Sequence, residues 1–370
     1  MSFTVRRMSV VVHTPDVVGD RMAGPGIRAW HLARELGKHA PTLLIAKHEG
    51  ETPGGVTILQ HGSAEAKQAM RDARVLVGQP ARGFRRRRRE QRIAYDLFDP
   101  TVLELRELYG SSPSPRQRIH LAAEWWRLSE ALMRADLLVC AARKQRQFYE
   151  MLQSNDARWI EVPFGIDLAD AKACAKPQDN VVVWGGGVWE WLDPATAIDA
   201  VLRVNRDGVR CRLLFLGRAR PNRNLIDRRR ESRFDDLLAR GGGFVSANAE
   251  WIPFSQRLAW LRAGKIAIML HRRTAEADYS IRTRLFDAIA AGIPVVATEG
   301  GFAADLVAQE GLGFSVPPGD TAAVAEAIRR LLTDDALYAG CVQNLGRIRP
   351  RFAWESVTQP LVDAVLEWLK

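Results

Sequence analysis

The stretch Tyr279-Ser280-Ile281-Arg282-Thr283-Arg284-Leu285-Phe286-Asp287-Ala288-Ile289-Ala290-Ala291-Gly292-Ile293-Pro294-Val295-Val296-Ala297-Thr298 decides the reading of this chain. A polar, cationic start (Ser280, Arg282, Arg284) runs into an apolar helix face. Gly292 ends the predicted helix, Pro294 follows, and Val295 and Val296 open a buried strand. A helix N-terminus with unsatisfied N–H groups and two arginines is a site for a phosphate. Asp287 places a carboxylate inside the apolar helix, where it can accept hydrogen bonds from sugar or ribose hydroxyls. Phosphate and hydroxyls together imply a nucleotide or a nucleotide sugar.

Outward from this segment, short strands alternate with helical patterns. Strands are predicted at residues 8–13, 42–46, 56–59, 75–77, 92–95, 137–140 and 159–162. Helices are predicted at 26–36, 115–134 and 143–152. Such alternation implies parallel pairing and a doubly wound sheet. Residues 163–167 are rich in turn formers, and 169–180 are small, polar and interrupted by Pro177, as in a linker. A second alternation begins at residue 181, with strands at 211–216, 244–246, 266–269 and 314–316, and helices from Thr321 onward. The fold class is therefore α/β with two Rossmann-like domains. The first spans 1–168, the linker 169–180 and the second 181–350, followed by a C-terminal helix at 351–370.

A chain of 370 residues is too long for one ordinary core. Its 47% apolar and 26% charged residues are those of a soluble globular protein. No apolar run reaches the length of a membrane span, and the N-terminus leads into a strand without a signal-peptide core. A cytoplasmic location is expected. Cys140, Cys174, Cys211 and Cys341 are scattered and read as isolated thiols. None of the seven histidines pairs with carboxylates at metal-ligand spacing, so no bound metal is expected. The net charge is +10, and Arg85, Arg86, Arg87, Arg88 and Arg89 are consecutive. No nucleic-acid-binding signature accompanies that charge, so no nucleic-acid partner is expected. Five like charges repel and should be exposed, on a loop beside the acceptor side of the first domain. There they either solubilise the loop or attract an anionic acceptor or acidic headgroups at the inner membrane face.

Three further segments carry a family resemblance. Gly24-Pro25-Gly26 follows the first strand, Val162-Pro163-Phe164-Gly165-Ile166-Asp167 closes the first half, and Trp184-Gly185-Gly186-Gly187-Val188-Trp189 opens the second. With the helix after Ser280, they resemble the retaining glycosyltransferases of the GT-B fold, family GT4. The triple glycine is similar to that of a bacterial subgroup associated with surface polysaccharide and natural-product glycosylation. The resemblance covers nearly the whole chain. It implies two domains facing a cleft, with the C-terminal helix crossing back to the first. It also implies a nucleotide diphosphate sugar of UDP or GDP type on the second domain and an acceptor on the first. That acceptor would be a saccharide, a lipid-linked saccharide or a secondary metabolite. Transfer would retain configuration, without a metal or other cofactor.

The donor-binding candidates are Gly24, Gly26, Gly186, Gly187, Arg218, Trp251, Ser280, Arg282 and Arg284. Glycines let a backbone approach a diphosphate closely, although an ordinary strand-to-helix turn also accounts for Gly24 and Gly26. Arg218 follows a buried strand, where open α/β sheets bind ligands. Trp251 can stack on a base or pack in the core. Asp96 and Asp287 are the catalytic candidates, Asp96 because a carboxylate at a strand end can orient or deprotonate an acceptor. His13, Asp99 and Trp189 are assigned to the acceptor side, with a structural role competing for His13 and a helix N-cap for Asp99.

Two departures from the family pattern matter. Its two glutamates, separated by seven residues, map to Tyr279 and Asp287, and the glycine turn lacks the usual cation. Donor charge then falls to Arg218, Arg282, Arg284 and the helix dipole. A nucleotide-sugar epimerase of the same architecture and a non-catalytic basic protein for anions or RNA are the other two classes. The first needs clustered acid and base residues that the sequence does not show. The second has no use for glycine turns and an arginine-bearing helix start.

Overall fold

The computed structural model describes residues 9–51, 54–153, 156–168, 179–189, 191–217 and 228–370, with 228–232 as backbone only. Arg218 and Cys174 lie outside the described residues. The chain forms two compact units. The first comprises Met1–Gly165, Tyr279–Ile281 and Trp354–Lys370, and the second Ile166–Asp278 and Arg282–Ala353. The short return of the chain to the first unit at Tyr279–Ile281 had no sequence signal.

The first unit holds seven strands: β1 (Val10–Gly19), β2 (Thr42–Glu49), β3 (Thr57–Gln60), β4 (Val75–Gly78), β5 (Arg92–Asp96), β6 (Leu137–Cys140) and β7 (Arg158–Glu161). They pair in the order β3-β2-β1-β4-β5-β6-β7, all parallel. Helices α1 (Gly24–Gly37), α2 (Ala64–Asp72), α3 (Thr101–Tyr109), α4 (Pro115–Arg134) and α5 (Arg143–Glu150) connect them. The second unit holds β8 (Val181–Trp184), β9 (Arg212–Phe215), β10 (Val245–Ala247), β11 (Ile266–Met269), β12 (Val295–Thr298) and β13 (Gly313–Val316). Their order is β10-β9-β8-β11-β12-β13, again parallel. Its helices are α6 (Pro194–Arg206), α7 (Arg228–Arg240), α8 (Arg257–Arg262), α9 (Ala275–Tyr279), α10 (Thr283–Ala291), α11 (Gly301–Glu310), α12 (Thr321–Thr333) and α13 (Asp335–Ile348). The last residue of α9, Tyr279, groups with the first unit. Helix α14 (Trp354–Leu369) belongs to the first unit and packs on α1.

Helices on both faces bury the central strands completely, so β4, β6, β8, β11 and β12 are apolar runs rather than alternating patterns. Strand order reverses between β1 and β4 in the first sheet and between β8 and β11 in the second. The carboxyl ends of strands at such switch points are where open α/β sheets bind ligands. In β1, His13 pairs with Ile45, yet Val17 pairs with Lys47. Residues 14–16 are therefore pushed out of the ladder, a bulge midway along β1 and just past the end of its pairing with β4.

Gly26 seats α1: a Cβ there would lie 2.2 Å from the Val17 carbonyl oxygen. Packing of the helix on β1 therefore demands this glycine, a structural use beside the donor role expected of it. Trp354 opens α14 and stacks on His31 of α1, ring centroids 4.3 Å apart. Arg74 donates to the Trp368 and Leu369 carbonyls and so caps the far end of that helix.

The arginine run is not beside the ligand edge of the sheet. Gln91 is fully buried and accepts the Arg87 and Arg88 amides on its Oε1, while its Nε2 donates to the Met70 and Ala73 carbonyls. Arg88 donates to the Asp72 and Ala73 carbonyls at the end of α2, and Arg86 to the Arg134 carbonyl at the end of α4. Helix C-termini carry orphan carbonyls and partial negative charge, so cations are held there. In a parallel α/β sheet they lie at the amino end of the strands, opposite the ligand edge. This corrects the expected placement of Arg85, Arg86, Arg87, Arg88 and Arg89 beside the acceptor side. Arg85, Arg87, Arg88 and Arg89 remain exposed.

Gly165 allows the Trp354 ring to seat, since a Cβ there would meet the indole at 2.4 Å. Gly165→Ala should therefore destabilise the first unit by about 1–3 kcal/mol through overpacking. Urea denaturation followed by tryptophan fluorescence measures this, and an unchanged midpoint would show that the indole has room to shift.

Candidate functional site

The best-formed constellation lies in the second unit, at the carboxyl end of β8. Trp184 ends that strand fully buried, and its Nε1 donates to the Gly187 carbonyl at 3.3 Å. The Arg284 Nη2 donates to the same carbonyl, and its guanidinium lies over the Trp184 ring, 5.3 Å from the centroid. Gly186 has φ +72°, a conformation that glycine adopts without strain. Trp251 covers the turn: a Cβ on Gly187 or Gly217 would lie 3.2 Å from its indole. The glycine turn is thus held by two tryptophans and one arginine. Arg284 brings to the turn the cation that the turn's own sequence lacks.

Helix α10 begins at Thr283. Its N-cap, Arg282, is extended and supplies no side-chain cap, so the first amides keep their donor capacity. Gly292, at φ +75°, terminates it as the sequence implied. Arg284, in the first turn, leaves its buried Nη1 without a partner. Burial and then repulsion from Arg282 lower its pKa to about 9, against the pull of Asp287 and Glu276. A buried guanidinium with an unmet donor is costly unless an anion completes it.

Arg282 is differently employed from what was expected. Its Nη1 and Nη2 each donate at 2.7 Å to the two carboxylate oxygens of the fully buried Glu276. That bidentate pair fixes the approach to α10 and leaves only Nε unpartnered, so Arg282 is no open diphosphate clamp. Ser280 is buried in the segment that groups with the first unit. Asp287 lies 3.2 Å from Arg257 Nη2, and Arg257 in turn lies over the Phe254 ring. Burial raises the Asp287 pKa, while Arg257 and Arg284 pull it down. Nε and Nη1 of Arg257 have no partner. Three guanidinium groups with unmet donors (Arg257, Arg282, Arg284) therefore gather around the start of α10.

Other sequence assignments change. Tyr279 packs on the first unit's core and stacks on Phe148, centroids 4.9 Å apart, which accounts for the absence of a carboxylate there. Trp189 stacks on Trp191 with rings nearly parallel, 5.7 Å apart, and both pack on the second unit's core. Its acceptor-side assignment therefore finds no support in its surroundings.

In the first unit, Asp96 is not an available base. Arg28 Nε and Nη2 donate to its two oxygens at 2.7 and 2.9 Å, and Arg28 Nη1 donates to the Val162 and Pro163 carbonyls. Both partners are buried, so Asp96 is a structural counter-ion and its catalytic assignment is withdrawn. Asp99 does not cap α3, where Pro100 occupies the N-cap. Burial, then the charges of Glu104, Asp16 and Asp96, raise its pKa well above the usual carboxylate range. His13 faces Gly78 across the β1–β4 switch point. Its Nε2 lies 3.1 Å from His61 Nδ1, and its ring stacks on Phe84 at 4.8 Å. Burial and then His61 lower its pKa to about 3. Thr14, in the bulge, donates to Gln79 Oε1 at 3.2 Å. His13, Thr14, Asp16 and Gln79 are thus what the first unit places at its ligand edge.

Sequence reasoning missed Glu276, Arg257, the bulge at 14–16 and His271. His271 is buried just beyond β11, and Thr298 accepts its amide at 3.1 Å. An acidic residue six positions before Arg282 was the one available signal for the Glu276 pair. Among the described residues, no group of three His, Cys, Asp or Glu side chains converges as a metal site. Among them also, no helix is long and apolar enough to cross a membrane.

Residues 179–334 match the family model described as Glycosyl transferases group 1. That match spans the second unit from just before β8 to the end of α12. Three solved structures show how far the fold extends. The sucrose-phosphate synthase from Thermosynechococcus elongatus has a TM-score of 0.70 at 16% identity, covering 98% of this chain and 99% of that one. WaaG, a glycosyltransferase involved in lipopolysaccharide biosynthesis, reaches 0.71 at 16% identity over 96% and 99%. HepE of Anabaena in complex with UDP-glucose reaches 0.70 at 14% identity over 97% and 99%. At these identities the likeness establishes the GT-B architecture. No curated protein matches the chain by sequence.

Two measurements follow from the first unit. Arg28→Met leaves Asp96 buried without its counter-ion and should cost about 3–5 kcal/mol in urea denaturation. Adding Asp96→Leu should recover much of the loss, and the absence of recovery would deny that the two act as a pair. His13 gives a pH dependence. The unfolded chain takes up a proton below about pH 6.5 that the fold refuses until about pH 3. Stability should therefore fall as pH falls through that window, with a slope of about 1.4 kcal/mol per pH unit from this group. His13→Gln should flatten the acid limb by that amount, and superimposable acid limbs would contradict the assignment.

Proposed function

We propose that this glycosyltransferase moves a sugar from a UDP- or GDP-type nucleotide diphosphate sugar to a saccharide, lipid-linked saccharide or secondary metabolite. Configuration is retained and no metal takes part. The observation that carries the reading is Arg284. It holds the glycine turn through the Gly187 carbonyl, keeps one buried donor unmet, and stands in the first turn of an uncapped helix. A diphosphate supplies what this arrangement lacks: oxygens for the guanidinium and for the α10 amides, and negative charge at the positive end of the helix.

The residues divide the work as follows. Arg284 and the α10 amides bind the diphosphate and stabilise the charge that grows on it as the glycosidic bond breaks. That stabilisation, from cations fixed in the fold, is the ground for proposing that no divalent ion is needed. Gly186 and Gly187 permit close approach of the donor. Asp287, steadied by Arg257, accepts hydrogen bonds from donor hydroxyls. Retention follows from attack on the face the diphosphate leaves, its departing oxygen taking the acceptor's proton. The HepE structure contains UDP-glucose, so a UDP-sugar is the first donor to test. The acceptor is assigned to the first unit, at the His13 and Asp99 edge. Peripheral association with anionic membrane, from the cytoplasmic side, is the remaining part of the reading.

UDP or GDP should raise the melting temperature equally in EDTA and in magnesium, because a ligand bound only to the native state stabilises it. Arg284→Met should weaken the nucleoside diphosphate at least about tenfold while leaving the nucleoside itself nearly unaffected. Asp287→Ala should abolish most transfer with the fold intact. Strict magnesium dependence of the thermal shift would refute metal independence, and unchanged diphosphate affinity in Arg284→Met would refute the site.

A further inference from the structure

Helix α4 has two apolar faces. Leu128, Ala131 and Leu132 bury one of them in the first unit. The opposite face carries Ile119, Trp126 and Met133, which are 71%, 63% and 55% exposed. Seven residues separate each from the next, so all three fall within about 40° around the helix. Ala122 and Ser129, also exposed, fill the stripe between them. Single exposed apolar side chains are ordinary on a protein surface. Three large ones aligned along about 21 Å of helix mark a surface that meets something.

The charge around the stripe indicates what it meets. Arg116 and Arg118 are exposed in the first turn of α4, and Arg134 in the last. The two acidic residues of the helix are already engaged, Glu124 by Arg127 and Glu130 by Arg134. Arg86 donates to the Arg134 carbonyl, which places the arginine run against the Met133 end of the stripe. Arg85, Arg87 and Arg89 extend it as exposed cations. The arginine run therefore adjoins the Met133 end of the apolar stripe, within the first unit.

We propose that this surface docks on a bilayer containing anionic lipid, with Ile119, Trp126 and Met133 entering the headgroup–acyl boundary and the arginines meeting lipid phosphates. Tryptophan at the centre suits a boundary that is apolar on one side and wet on the other. A second copy is a poorer occupant, because a symmetric contact brings the same arginines face to face. The proposal rests on the peripheral-membrane part of the reading above and locates it. The arginine run alone did not do so, since Arg86 and Arg88 are occupied as helix caps.

The test is sedimentation of the full chain with phosphatidylcholine vesicles, with and without phosphatidylglycerol, at low and high salt. Wild type should bind the anionic vesicles and lose most of that binding in salt. Ile119→Ser/Trp126→Ser/Met133→Ser should reduce partitioning at least about tenfold, while Trp126→Phe alone keeps most of it. Arg85→Gln/Arg87→Gln/Arg89→Gln should weaken binding and flatten the salt dependence. All substituted side chains are exposed, and an unchanged thermal shift with UDP or GDP confirms that each variant is folded. Wild type that stays in the supernatant with anionic vesicles overturns the whole membrane reading. Wild type and triple-serine variant binding equally overturns the α4 surface alone. A dimer in sedimentation velocity that the triple-serine change dissociates, with vesicle binding unaltered, assigns the stripe to a second copy and likewise overturns it.

Discussion

Arg28 organises the first unit. One buried guanidinium makes four hydrogen bonds, two to Asp96 at the end of β5 and two to the carbonyls of Val162 and Pro163 beyond β7. It lies over the Phe98 ring, so the apolar face of the guanidinium is covered as well. Removing such a pair from water is expensive, and only near-complete hydrogen bonding makes it tolerable. The geometry joins three segments far apart in sequence: helix α1, the centre of the sheet and the segment where the chain leaves it. Gly26 presses α1 onto β1 and so holds Arg28 at the depth where all four bonds form.

The second unit handles its arginines in the opposite way. Glu276 satisfies Arg282 at both ends of its fork, but Arg284 and Arg257 keep buried nitrogens without partners. Asp287 cannot balance both, and burial disfavours its own charge. The fold therefore stores positive charge at the start of α10. A stability argument alone gives no reason for this, since Arg28 in the first unit shows that such a charge can be fully paired. Affinity for an anion is the compensating gain that the proposed function supplies. The glycine turn completes the contrast, because its carbonyl at Gly187 takes the strong donor of Arg284 and so orients the donor that remains.

What the sequence revealed follows from the range of the forces involved. Alternating strands and helices, the end of α10 at Gly292 and the depth of the central strands depend on periodicity and local turn chemistry. They were legible at the scale of ten residues. The domain plan was legible too, except for Tyr279–Ile281, whose packing on Phe148 is a contact across 131 positions that no local pattern records. Site residues divide along the same line. Arg284 and Asp287 stood out as candidates because the argument for them needs only their position along one helix. Asp96, Arg282 and Trp189 were misread because each has a partner elsewhere: Arg28, Glu276 and Trp191. A charged or aromatic side chain at a strand end looks the same in sequence whether it faces a ligand or a neighbour.

The arginine run shows why placement matters more than composition. As a sequence it is five equal charges. In the fold, Arg86 and Arg88 donate to carbonyls at the ends of α4 and α2 and Arg87 to the Gly83 carbonyl, while Arg85, Arg87, Arg88 and Arg89 stay exposed. Gln91 anchors the run by fixing the amides of Arg87 and Arg88 on one buried oxygen. Two helix dipoles thereby neutralise part of a charge run that would otherwise repel itself. The sheet is parallel, so every helix returns its C-terminus to the same edge, and cations that cap helices gather at that edge. The other edge carries His13, Asp99 and the β1 bulge, at the position where open α/β sheets bind ligands. The topology alone separates the two, and within the first unit it gathers the helix-capping cations at one pole of the sheet and leaves the ligand-binding position of such folds at the other.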